Sequence, residues 1–443
     1  MCLYGIVMAH GQLAAKEHLP KLAEPVLVAG KSLAIPTAQQ AAWADLEVGM
    51  FIHIAPQTWQ DNETDTMKTD LKEMALEKLD TDQWVRVAEG MGAKYIVFVA
   101  KHEGGFCWWP TETTEHCVRN IPWRAGKGDV LGELAASCKK RGMKLGVYVS
   151  PQDKAFGALV GGKTKDASKQ AAYEEVFRKQ LAEVLSLYKD VNGEMIEAWF
   201  DGSLGFDVGD ILEKHAPNAM VFQGPQATIR WVGNEAGVVA GPAWNAVKGG
   251  VKKWGDYVGE DGVSDGDKWL PNEVDARIRA TWFWRTDNAK TLKSLPALME
   301  MYETSVGRGG VLLLNNTPDR SGLIPEGDAA RSMEFGAEVK RVFGVPVIDT
   351  AGTGKEFELT LSSPREVDRV MIAEEIEKGE RVRAWVVEGL KDGKWEVLCE
   401  GKEVGHKRIA KFAACTPEKV RLRITESVGV PQIRGFGLYR AGR

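Results

Sequence analysis

A chain of 443 residues is too long for one ordinary core, so two domains, or one large barrel with an appendage, are expected. Its 44% apolar and 27% charged residues are those of a soluble globular protein, and the amino-terminal apolar run is too short to span a bilayer. The net charge of −5, without a long Lys/Arg run, speaks against nucleic acid and anionic membrane as partners.

Six cysteines (Cys2, Cys107, Cys117, Cys138, Cys399, Cys415) show neither CxxC nor Cys/His spacing and read as buried thiols. No metal or other cofactor is expected. Fifteen tryptophans is a high count, and several flank polar strand ends, where a flat ring suits the apolar face of a sugar. The amino terminus, MCLYGIVMAHGQLAA, has a short apolar run without a basic start. It reads as a weak or truncated signal peptide and leaves export and cytoplasm both open.

Residues 1–36 form a lead-in. A helix is predicted over Gln39–Glu47, then a buried strand over Val48–Ile54 with His53 at its end, before a loop carrying Gln57, Trp59, Asp61 and Glu63. The helix Asp80–Gly92, with Thr81 as cap, feeds the strand Tyr95–Ala100, which closes in Lys101, His102 and Glu103. The helix Val130–Arg141 precedes the strand Lys144–Val149, with Tyr148, Ser150 and Asp153 at its tip. A long helix over about Lys165–Tyr188 leads to MIEAWFDG, whose apolar run stops at Asp201 and Gly202. A carboxylate at the carboxyl end of a buried parallel strand is where barrel enzymes place chemistry, although Asp-Gly is also an ordinary turn.

Further on, a weaker helix (Val208–Lys214), a strand (Ala219–Gln223) and a loop carrying Arg230, Trp231, Asn234 and Glu235 are expected. Residues 248–274 read as a long barrel-top loop, and Ile278–Trp284 as a strand ending in WFWR. The helix Thr291–Val306 and the strand Val311–Leu314, closing in Asn315, Asn316 and Asp319, complete the alternation. Seven or eight strands, each followed by polar residues, predict a (β/α)8 barrel with its site on the carboxyl-terminal face. No GxGxxG follows the first strand, which weakens a doubly wound sheet. From Gly344 short alternating segments (357–361, 368–373, 382–387, 395–400, 420–424, 435–439) predict an all-β sandwich. The division is therefore 1–36, 37–343 and 344–443.

The barrel's polar ends supply carboxylates and aromatic walls, and lack a phosphate loop, a HExxH and a GxSxG. Two carboxylates facing an aromatic pocket suit a glycosidase. The blocks GMFIHIAPQTW, AKYIVFVAKHEGGFCWWP, GVYVSPQD, EAWFDG, RWVGNEAG and GRGGVLLLNNTPDRSGLIPEG resemble, in order, those of glycoside hydrolase family 29, the retaining α-L-fucosidases. RWVGNE and TWQDNE are most similar to the subfamily acting on α-1,3- or α-1,4-linked fucose, and the sandwich resembles a galactose-binding-like module.

The resemblance implies Asp201 as nucleophile and Glu235 as general acid/base, with Glu273 as second choice because the spacing 201 to 235 is about ten residues shorter than in that subfamily. It implies His53 and His102 as holders of sugar hydroxyls, with Trp59, Glu63, Glu103, Tyr148, Trp231 and Trp284 lining the site. The family has a His where Glu103 stands and an Asp where Gly104 stands, a departure that bears on which sugar fits. The implied partner is a fucosylated oligosaccharide or glycan; oligomeric state is not readable. The same barrel acting on a related glycoside, or a silent glycan-binding protein, are the alternatives.

Overall fold

The computed structural model describes His18, residues 20–249 and residues 262–442. Cys2, the amino-terminal apolar run and the centre of the predicted 248–274 loop lie outside the described residues. Among the described residues, eight parallel strands run round one sheet in chain order: β1 (Val48–Ile52), β2 (Tyr95–Lys101), β3 (Lys144–Val149), β4 (Glu197–Trp199), β5 (Met220–Phe222), β6 (Arg230–Trp231), β7 (Asn272–Arg277) and β8 (Val311–Asn315). β1 pairs with both β2 and β8, and a parallel bridge from Phe222 to Ile229 closes the barrel. Apolar runs such as VGMFI and VLLLN are buried throughout, as strands covered on both faces must be.

Among the described residues, the α-helices of seven residues or more are α1 (Ala38–Ala44), α2 (Thr81–Met91), α3 (Val130–Arg141), α4 (Gln170–Ser186), α5 (Gly209–His215), α6 (Leu295–Ser305) and α7 (Glu326–Phe343). Asp80, not Thr81, caps α2: its carboxylate accepts the Gln83 N–H, while the Thr81 hydroxyl bonds Ser137 of α3 at 2.8 Å. The sequence pattern does not announce α7, because its buried face relies on few large apolar residues, Phe335 and Val342 among them.

Two expectations change at the seventh strand. The strand is Asn272–Arg277, and Ile278–Trp284 is loop. Glu273, Asp275 and Arg277 alternate along β7, so charge replaces the apolar run that marks a buried strand. Secondly, the described ends of the 248–274 segment do not sit at the barrel top. Ala246–Val247 pairs with Lys268–Trp269, and Trp269 packs with Ala34, Ala44 and Ile376 on the side where the strands begin.

Eight further strands make the sandwich: β9 (Ile348–Thr353), β10 (Glu356–Thr360), β11 (Val367–Glu374), β12 (Val382–Lys391), β13 (Lys394–Gly401), β14 (Arg408–Cys415), β15 (Lys419–Ser427) and β16 (Gln432–Tyr439). They form two antiparallel four-stranded sheets, β9-β16-β11-β14 and β10-β15-β12-β13, around Val370, Trp385, Leu422 and Phe436. β9 and β14 were missed, since β9 carries little apolar residue beyond Ile348 and β14 is half-exposed.

The sandwich grips residues that precede barrel strands or lie on α6. Asp45 meets His406 and Arg434 at 2.8 Å each, Glu47 pairs with Lys407, and Glu303 accepts from Arg369 at 2.8 Å. These contacts lie away from the strand ends that carry the candidate site. Within the sandwich, the buried Glu374 accepts three backbone N–H groups, those of Arg381 (2.7 Å), Val382 (2.9 Å) and Gly405 (2.9 Å). Glu374→Gln sets an amide N–H against one of these donors and is expected to cost about 1–3 kcal/mol in chemical denaturation. An unchanged denaturation midpoint would contradict that role.

Candidate active site

The carboxyl ends of the strands bring the candidate residues together at the barrel mouth. Past β4 the chain turns at Asp201 and Gly202; Gly202 has φ +71°, and a Cβ there would lie 2.3 Å from Val160 Cγ1. The turn reading of Asp-Gly is therefore correct, and the same turn leaves Asp201 at the barrel mouth. The Tyr148 hydroxyl, from β3, donates to Asp201 Oδ2 at 3.0 Å. Solvent reaches Asp201 from the open side. Desolvation by the surrounding protein still pushes its pKa above the ordinary carboxylate range, helped by Glu235 and Glu103 and opposed by the Tyr148 hydrogen bond.

Two histidines face this carboxylate's neighbourhood, their rings 5.9 Å apart. His53 Nδ1–H donates to Asn315 Oδ1 at 2.8 Å, and the Asn315 amide is oriented by its own donation to the Trp282 carbonyl at 2.9 Å. That assignment leaves His53 Nε2 as an acceptor. His102 Nδ1 accepts from the Gln57 amide at 2.9 Å, which assigns its Nε2 as a donor. The pair thus presents one acceptor and one donor, suited to sugar hydroxyls. Burial pushes both imidazoles down, His53 well below its ordinary 6.5 and His102 to about 3.

Glu235 stands on the loop after β6. A bridge between Ala236 and Ala276 lays this loop along β7, and Glu235 pairs with Arg277 at 3.2 Å. It is exposed, and close enough to Asp201 and Asp275 to act on both electrostatically. Trp231 Nε1–H donates to the buried Asp275 at 2.6 Å, so this indole is fixed from below.

A carboxylate held by a tyrosine at a barrel strand end, a second carboxylate within electrostatic reach and a neutral histidine pair are the ingredients of glycoside cleavage. The sequence model of the α-L-fucosidase family matches residues 31–341. The chain belongs to the α-L-fucosidases of glycoside hydrolase family 29. It is 30% identical to α-L-fucosidase 1 of Arabidopsis thaliana over 457 residues, covering 92% of this chain and 88% of that one. It superposes on a family 29 member from an unknown rumen bacterium with TM-score 0.83 and 32% identity, covering 93% and 78% of the two chains. A Ruminococcus gnavus family 29 fucosidase in complex with fucose matches with TM-score 0.82 and 25% identity, covering 97% and 98%.

Within this fucosidase fold the remaining expected residues take several places. Glu63 accepts the Trp282 N–H at 2.9 Å and the Phe283 N–H at 3.4 Å, so it shapes the loop that carries those rings. Trp282 lies over His53 at 5.0 Å, and Phe283 meets both histidines edge-on at 5.4 and 5.0 Å. Trp284, by contrast, packs under the Arg320 guanidinium, and Trp59 against Trp108. Trp282, Phe283, Arg277 and Asn315 thus stand at the candidate site without being in the set expected from sequence; the WFW run is the available signal for the first two.

Glu103 accepts the Lys154 ammonium at 2.8 Å and the Asp65 N–H at 2.9 Å, tying together the loops after β1, β2 and β3. At Gly104 an added Cβ would lie 2.1 Å from Asp65 Oδ2, so Asp65 occupies the space a side chain there would need. Glu273, the second choice for acid/base, is fully buried beneath Trp199, whose Nε1–H it accepts at 2.7 Å; this depth corrects that assignment. Among the described residues no cluster of three or more His, Cys, Asp or Glu side chains is arranged to hold a metal ion, and no helix is long and apolar enough to cross a membrane.

The histidines give a direct test. Their folded forms resist a proton that the unfolded chain accepts near 6.5, so their contribution to stability is full above pH 6.5 and lost as pH falls. Imidazole Cε1–H shifts of His53 and His102, followed by NMR from pH 8 to 4.5, are expected to stay in the neutral position. A midpoint near 6.5 for either ring would contradict the buried, neutral pair.

Proposed function

We propose that the protein is an exo-acting, retaining α-L-fucosidase that releases terminal α-1,3- or α-1,4-linked L-fucose, with residues 37–343 as catalytic unit and 344–443 as appended sandwich. The observation that carries the reading is the Tyr148–Asp201 hydrogen bond at the end of β4, beside the neutral pair His53 and His102. The Ruminococcus gnavus relative's complex with fucose supports the sugar.

In this reading Asp201, ionised and steadied by the Tyr148 hydroxyl, attacks C1 and forms a glycosyl ester. Glu235 gives its proton to the departing oxygen. Glu235 then takes a proton from water as that water attacks C1, and the ester bond to Asp201 breaks. Arg277, paired with Glu235 in the free protein, must yield that contact before Glu235 can serve as an acid. His53 as acceptor and His102 as donor hold ring hydroxyls, and Trp282 and Phe283 cover the apolar face.

Glu103 favours one alternative, the same chemistry on a related sugar, because its Lys154-bound carboxylate stands where an imidazole is expected in the family. One experiment addresses both. Proton NMR of the protein with a Lewis-type trisaccharide is expected to show α-fucose first, and Asp201→Asn to release none while keeping its fold. The β-anomer first would overturn the retaining course, and no fucose from a folded protein would overturn the sugar. Near-normal turnover in the Asp201 variant would remove the nucleophile assignment.

A further inference from the structure

A column of four rings from adjacent strands leads to the barrel mouth. Phe222 stacks on Trp199 with centroids 3.7 Å apart and planes at 5°. Trp199 stacks on Tyr148 at 5.2 Å and 23°, and Tyr148 on His102 at 5.5 Å and 8°. Stacking sets the spacing of rings but only weakly their rotation within the plane. A directional anchor is therefore informative, and Trp199 has one: its Nε1–H donates to Glu273 Oε2 at 2.7 Å.

Glu273 reaches Trp199 across the barrel, from β7 to β4. Its other oxygen, Oε1, accepts the Tyr95 hydroxyl at 3.0 Å. Gly49 makes that possible, since a Cβ there would lie 2.4 Å from Tyr95 Cζ. The third neighbour is Glu197, on the first rung of β4, which accepts Trp43 Nε1–H at 3.2 Å on Oε2 and has its buried Oε1 otherwise unpartnered. Two buried carboxyl groups side by side cannot both ionise. Burial raises both acids; for Glu197 the charge of Glu273 adds to that rise and holds the proton there, whereas for Glu273 the donors Trp199, Glu197 and Tyr95 oppose burial and keep it at about 7, the more easily ionised of the two. Glu273 is thus an acceptor to every group around it.

We propose that Glu273 is a positioning residue: by accepting the Trp199 N–H from across the barrel it sets the rotation of the ring column, and with it the place where the Tyr148 hydroxyl meets Asp201. The inference rests on the reading of Asp201 as nucleophile. It makes the two buried acids unequal. Glu273→Gln keeps the shape but turns one acceptor oxygen into an amide N–H facing a donor. Glu197→Gln keeps a donor beside Glu273.

The test is steady-state kinetics of the full chain on a fucosyl oligosaccharide across pH, with circular dichroism to verify folding. Glu273→Gln is expected to lower kcat about ten-fold or more with KM changed by less than about three-fold, because a misplaced catalytic group costs rate rather than binding. Its acid limb should move to higher pH, since the hydrogen bond lost from Asp201 favours the ionised form. Trp199→Phe, which keeps the stack and removes the N–H, should do the same, and the double variant should be no worse than either single one. Glu197→Gln should stay within about three-fold of the parent. Parental kcat and acid limb in a folded Glu273→Gln or Trp199→Phe would overturn the proposal. So would an equal loss in Glu197→Gln, which would mean that the pair only holds the barrel together. If Glu273→Gln fails to fold, Trp199→Phe decides alone. Asp201→Asn, run alongside, separates the two levels: activity surviving there defeats the nucleophile reading, whatever Glu273 does.

Discussion

A carboxylate turned into the interior of a barrel persists only where a donor meets it, since an unpaired buried charge costs far more than a hydrogen bond returns. Three inward acids of this protein, and Asp201 at the mouth, are met by aromatic side chains. Trp43 donates to Glu197, Trp199 and Tyr95 to Glu273, Trp231 to Asp275, and Tyr148 to Asp201. An aromatic donor fills the core with its ring and satisfies the acid with its polar edge, two tasks that an aliphatic residue cannot combine. Two of these donors, Trp199 and Tyr148, also stand in the stacked ring column, so the interior's electrostatics and the site share those residues.

Much of this was legible because barrel strands with apolar inward faces announce themselves. β1, β2 and β8 read directly, and the polar residues after them, His53, His102 and Asn315, meet at the mouth as strand-end residues of a closed barrel must. β7 was not legible, because period-two alternation with Glu273, Asp275 and Arg277 on one face looks like a solvated loop to any rule based on apolar runs. Tryptophans beside polar strand ends suit either a core or a sugar-facing wall, and the sequence pattern does not separate the two. Several are donors to buried acids, and the geometry that separates the two uses is long-range: Trp199 and Glu273 are 74 residues apart.

The sandwich lies where the barrel strands begin and is fastened by charge. His406 and Arg434 hold Asp45 well below the usual carboxylate range, and Glu303 binds Arg369 and Lys411 at 2.8 and 2.6 Å. The mouth is shaped by the barrel's own loops: the Glu63-supported Trp282 and Phe283, the Glu103–Lys154 clamp, and the β6 loop that carries Glu235. That separation fits the general pattern in which one scaffold face carries stability and the other carries chemistry.

In the proposed mechanism Asp201 forms the bond to the sugar. Incubation with a 2-fluoro-substituted fucosyl fluoride, which slows breakdown of a glycosyl ester more than its formation, followed by proteolysis and mass spectrometry, tests it directly. One equivalent of label is expected, located on Asp201 in the peptide containing EAWFDG. Label on Glu235 or Glu103, or complete inactivation without any label on Asp201, would contradict it.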